Sequence, residues 1–270
     1  MTNDNHTFVT EFILLGFEDL HHVQILFIFL LLLLIYVVTV TGNLLIVALV
    51  AMTYQLWSPM YIFLSHLSMC DILIITNVAP KTLQVLVTEK CSLSFLSCLT
   101  QLYFFGAFTT TECCLLSVMS YDRYLAICDP LHYSSTMKHG LPQFLVMACW
   151  LLGFLASMII ESFVVALDFC GPNIIDHFFC DVTCLLELSC SDTKTTDICV
   201  TIIAFIIGIS QVAFVIVTYI CIFTSILQIS SITGRQKIFS TCSSHLALVS
   251  TYYGTLIAIY VAHQEDTFKP

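Results

Sequence analysis

The sequence is short of charge. Only 10% of its 270 residues are Asp, Glu, Lys or Arg, where a soluble chain carries about a quarter. Hydrophobic residues make up 59%, and the mean hydropathy is +0.97. Such a chain cannot clothe a water-facing surface with polar groups, so its solvent is lipid. Cationic residues are scarcest, 8 Lys and Arg against 18 Asp and Glu, which excludes the basic footprint that nucleic acid requires. No internal repeat or low-complexity segment is present, so an inverted-repeat transporter gains no support. Residues Met1–Leu20 are polar and acidic with no basic n-region, and no small-residue cleavage site follows the first apolar run. That run reads as a retained span, not a cleaved signal.

What the chain does have is long apolar stretches: Gln24–Met52, Pro59–Pro80, Ser97–Met119, Leu141–Ser162, Ile198–Gln228 and Ile238–Ala262. Each is long enough to cross about 30 Å of hydrocarbon as a helix. Barrel strands would be about half that length and would alternate in polarity. The expected fold is all-α, a polytopic transmembrane bundle over residues 24–262 with six spans visible, an N-terminal segment 1–23 and a polar tail 263–270.

Orientation is less direct. Asn5-His6-Thr7 is a glycosylation sequon, used only on the lumenal side. With the N-terminus outside, Arg123, Lys138, Arg235 and Lys237 face the cytosol, while Lys81, Lys90, Lys194 and Lys269 lie outside. The basic count is therefore a tie. Cysteines weigh more. Cys170, Cys180, Cys184 and Cys190 crowd the loop from Phe163 to Asp197, and Cys98 opens the third span. Thiols so dense in a polar loop suit an oxidising lumen, though spacing does not say which pairs form. Cys113, Cys114, Cys149 and Cys221, inside spans, read as small buried hydrophobes.

Two carboxylates sit at matched depth. Asp71 is about 18 Å into its span from Pro59 by helical rise, and Glu112 about 16 Å from Arg123. Unpaired charge is costly there. One reading protonates both and bonds them to Asn43, Ser68 or Ser117; the other places a small cation, sodium, between them. Asp122-Arg123-Tyr124 ends the third span, where a cation suits the helix dipole and can snorkel.

The run Met119-Ser120-Tyr121-Asp122-Arg123-Tyr124-Leu125-Ala126-Ile127-Cys128-Asp129-Pro130-Leu131-His132-Tyr133 resembles the signature of the odorant-receptor branch of the rhodopsin-like G-protein-coupled receptors. Gly42-Asn43, Pro59-Met60-Tyr61-Ile62-Phe63-Leu64, Leu67-Ser68 with Asp71, and Phe12-Ile13-Leu14-Leu15-Gly16-Phe17 look like further family blocks. So does Lys237-Ile238-Phe239-Ser240-Thr241-Cys242-Ser243-Ser244-His245-Leu246, with Ile238 in place of a commoner alanine. The blocks occur in order over nearly the whole chain.

The resemblance implies a plasma-membrane receptor, not an enzyme, that binds a small volatile odorant and couples to a stimulatory olfactory G protein and cyclic AMP. It implies disulfides Cys98–Cys180 and Cys170–Cys190. It implies that Asp122 restrains Arg123 until activation, when Arg123 swings towards Tyr219, with Tyr124, Lys237 and His245 among the coupling residues. Leu102, Phe105, Gly106 and Thr109 share one face of the third span, and with Ile203, Ile207, Tyr253 and Tyr260 form the candidate odorant set. An apolar pocket with a few hydroxyls suits such a ligand, although helix packing explains the same stripe. His177 and Asp181 could flank a metal, but Cys180 is better assigned to the disulfide. The family has one more span than the six seen here, carrying a proline-and-asparagine motif. The expectation is a shortened receptor with both ends outside, weak in export and signalling when alone. A small-solute transporter or channel is the remote alternative.

Overall fold

The computed structural model describes residues 10–15, 21–137, 140–170, 173–175, 177–228 and 231–267, and in the last helix the side chains of 232, 234, 237, 241 and 256–267 are not described. The elements run β1 (Glu11–Leu15), α1 (His22–Met52), α2 (Pro59–Thr88), β2 (Lys90–Ser94), α3 (Phe95–Cys128), α4 (Pro130–Thr136), α5 (Leu141–Val165), β3 (Ile174–Ile175), α6 (Val182–Leu188), α7 (Lys194–Gln228) and α8 (Ile232–Thr267). Among the described residues α1, α2, α3, α5 and α7 are long and apolar enough to cross a membrane. The 36 residues of α8 also exceed the roughly 20 that a crossing requires.

Helix ends follow local chemistry. At the start of α1 the Gln24 side chain accepts the His21 backbone N–H at 3.0 Å, meeting one orphan donor of the first turn. Pro59 opens α2 in the first turn, where its missing N–H costs nothing. The helices outrun the apolar stretches that announce them. Pro80, expected to close the second span, lies inside α2, which continues to Thr88 and ends where Glu89 turns left-handed at φ 62°. In lipid a neighbouring helix and local adjustment satisfy the carbonyl a proline frees. Likewise α3 runs on to Cys128, and α8 carries the polar residues 263–267 as helix.

The helical class holds, with a small sheet added. β1 pairs antiparallel with β2, Phe12 opposite Leu93 and Leu14 opposite Cys91, and parallel with β3, Leu14 beside Ile175. The period of two puts Phe12 and Leu14 on one face, and both are fully buried. They pack with Val85, Cys98, Cys180 and Leu185 in a core at the sheet end of α2 and α3. Part of the supposed N-terminal segment is thus structural. Phe12→Ala should cost about 3–5 kcal/mol, read as a lowered thermal midpoint in detergent. A midpoint equal to wild type would mean that β1 is not held.

The chain divides into two compact units, one of residues 1–115 with 143–206, the other of 116–142 with 207–270. The first holds the sheet, α1, α2 and most of α5. The second has its own small core of Ile222, Ile226 and Cys242, against which Tyr124, Ile127 and Tyr219 pack.

Candidate ligand and coupling sites

At the sheet end of α3 two disulfides fix the loop after α5. Cys98 is bonded to Cys180 with 5.4 Å between Cα atoms, and Cys170 to Cys190 with 5.8 Å. Cys184, in the same loop, takes no part in a disulfide. The loop brings Phe179 onto Phe105, ring centroids 5.5 Å apart, while His177 lies 4.7 Å from the Phe179 ring in an edge-on contact. No group of three His, Cys, Asp or Glu among the described residues could hold a metal ion.

The four α3 residues read as one ligand-facing stripe part company. Leu102 is buried in the sheet-end core, and Phe105 meets the loop. Gly106 faces α5: an added Cβ would stand 2.9 Å from Ser157 Oγ, which donates to the Tyr103 carbonyl at 2.6 Å. Thr109 is half-buried, as is Ile203 on α7. Ile207 and Tyr253 belong to the second unit. There Tyr253 lines a cavity of about 430 Å³ between α7 and α8, together with Val215, Tyr219, Phe223, Leu246 and Val249. Asn5 and the side chains of Lys237 and Tyr260 lie outside the described residues.

Midway along the helices Asp71 of α2 is hydrogen-bonded to Glu112 of α3 and to Asn43 of α1. Asn43 also donates to the Thr39 carbonyl at 3.1 Å. Ionised carboxylates have no hydrogen to give, so a bond between two of them requires that one carry a proton.

At the other end of α3, Asp122 is fully buried and Arg123 Nη2 donates to it at 2.9 Å. Tyr133, one turn into α4, donates its hydroxyl to the second carboxylate oxygen at 3.0 Å. Burial and the neighbouring Asp122 push the Tyr133 hydroxyl up to about 12, so it stays a donor at any physiological pH. The Tyr219 hydroxyl is 2.5 Å from His245 Nδ1, the two rings stacked at 14°. Tyr124 packs nearby against the Ile222–Cys242 core. Tyr133 stood inside the quoted signature without a role. Gln101 and Asn77 bond to one another across α2 and α3, and a polar side chain within a span is the sequence signal that marks such a pair.

Long apolar helices, a disulfide-tied loop and a buried Asp-Arg pair at the far end of α3 define a multi-pass helical receptor of the rhodopsin-like G-protein-coupled class. Residues 32–267 match the family model described as "Olfactory receptor". Among similar proteins are human olfactory receptor 5G3, 44% identical over 97% of this chain and 83% of its own length, and mouse olfactory receptor 5G9, 46% identical over the same shares. Human olfactory receptor 10A7 is 43% identical over 97% of this chain and 82% of its length. The chain belongs to the olfactory receptor family, whose members are receptors and not enzymes.

Proposed function

We propose that the chain binds small, largely apolar volatile odorants at the sheet end of α3 and signals through a stimulatory olfactory G protein to raise cyclic AMP. It does so from the plasma membrane, with its N-terminus outside and Asn5 glycosylated. One observation carries this reading: the fully buried Asp122 holds Arg123 and Tyr133 while Tyr219 is engaged with His245. That is the arrangement of a restrained switch, with the group that would receive Arg123 occupied elsewhere. Phe105 and Phe179 supply apolar contact for a ligand, Thr109 a hydroxyl, and burial supplies the affinity. Cells carrying the chain, challenged with a volatile panel, are expected to give a weak rise in cyclic AMP in response to some members. Silence to the whole panel, with surface expression verified, would sink the reading.

The Asp71–Glu112–Asn43 cluster supports a sodium site, in which a cation takes the place of the shared proton. Asp71→Asn removes one of the charges that such a cation needs. Its expected result is loss of any sodium dependence of odorant potency. Persistence of that dependence in the variant would leave the proton as the sole occupant.

A further inference from the structure

We infer that Gln101 is a positioning residue that clasps the backbone of the loop carrying Phe179, and so fixes the aromatic wall above α3. The inference rests on reading this end of α3 as the ligand site.

Cys180 is held to α3 at two points. One is covalent, through its sulfur to Cys98. The other lies one helical turn on, where Gln101 Oε1 accepts the Cys180 backbone N–H at 3.1 Å. A disulfide alone leaves the loop free to swivel about its side-chain bonds. A second attachment through the main chain removes that freedom, and Phe179 is the adjoining residue.

The Gln101 amide has a defined orientation. Its Nε2 donates to the Asn77 carbonyl at 2.9 Å, and Asn77 Nδ2 donates to the Gln101 carbonyl at 2.8 Å. With the donor end spent on α2, only the oxygen is left to face Cys180. Gln101 is 6% exposed and Cys180 fully buried, so water cannot replace either bond. A further contact, from Thr82 Oγ1 to the Phe178 carbonyl at 3.5 Å, ties the preceding residue to α2. The path from Gln101 through Cys180 to Phe179 ends on the Phe105 ring, itself one turn from Gln101 on α3.

Hydrogen exchange of the full chain in lipid nanodiscs tests this without any ligand, so it stands apart from the odorant reading. Gln101→Leu should speed exchange of amides in residues 178–181 by about tenfold, the worth of one buried hydrogen bond. Exchange in β1 and β2 should stay unchanged and the Cys98–Cys180 bond intact. Gln101→Glu separates clasping from bulk packing. A protonated carboxyl both accepts from Cys180 and donates to Asn77, whereas a carboxylate has no hydrogen for the Asn77 carbonyl and is repelled by that oxygen, which turns it out of line with the Cys180 N–H. Exchange in 178–181, relative to wild type at each pH, should therefore be near normal at acid pH and fast at alkaline pH. The inference is overturned by unaltered loop exchange in Gln101→Leu, by acceleration spread evenly over the sheet, or by pH-independent behaviour of Gln101→Glu. Should Gln101→Leu fail to fold, the pH series on Gln101→Glu decides alone.

Discussion

Gly153→Val should nearly abolish folded receptor. A Cβ at residue 153 would overlap Thr111 Oγ1 and come within 2.5 Å of the Ala107 carbonyl. Thr111 is fully buried and bonded through its hydroxyl to that same carbonyl at 2.8 Å, so neither obstacle can swing aside. Relief would require α3 and α5 to separate. Overpacking a well-packed interior costs about 1–3 kcal/mol, and more where backbone is the obstacle, while small residues are what let membrane helices approach. Gly106→Ala should be milder, since its obstacle is the Ser157 hydroxyl, which can rotate at the expense of its bond to Tyr103. Gly208→Ala and Gly254→Ala meet nothing within 4 Å and should match wild type. Thermal midpoints in detergent and the surface-exposed fraction in cells rank the four. A Gly153→Val protein as stable as Gly254→Ala would mean that the helices are not in contact there.

Asp122→Asn should raise ligand-independent cyclic AMP. The carboxylate is fully buried and accepts from both Arg123 and Tyr133. Hydrogen bonds to a charged group contribute about 1.5–3 kcal/mol, so losing the charge shifts the resting equilibrium by about tenfold or more. Tyr133→Phe removes only one of the two bonds and should give a smaller rise of the same sign. Arg123→Ala removes the group whose release is proposed to start signalling and should silence output, basal and odorant-driven alike. If Asp122→Asn reaches the surface and its basal cyclic AMP equals wild type, the pair is a structural fixture and not a restraint.

Long uncharged runs made the helices legible, and the matched depths of Asp71 and Glu112 made their meeting legible, because a helix converts sequence spacing into height. Direction around the helix was less readable. Gly106 shared a face with Phe105 by spacing, yet it serves the seam with Ser157, since which neighbour a face meets is set by other helices. Proline breaks helices in water, so Pro80 makes a plausible boundary in sequence, whereas surrounding helices in lipid let α2 pass through it. The strand at Glu11–Leu15 was hidden because its partners lie far along the chain, and five residues of mixed character carry no pattern strong enough to announce a sheet.

That distance has a consequence for how the receptor is made. β1 emerges from the ribosome first, but its parallel partner is β3, and Asn173 caps Glu11 across 162 residues. Contacts so remote in sequence form slowly. Phe12 and Leu14 must therefore wait, apolar and incompletely covered, until the helices between β1 and β3 have been made. A transiently exposed strand of this kind is open to aggregation or to holding by a chaperone. Completion of this sheet is thus paced by the arrival of the loop that carries β3, and the N-terminal strand is the part of it that needs protection the longest.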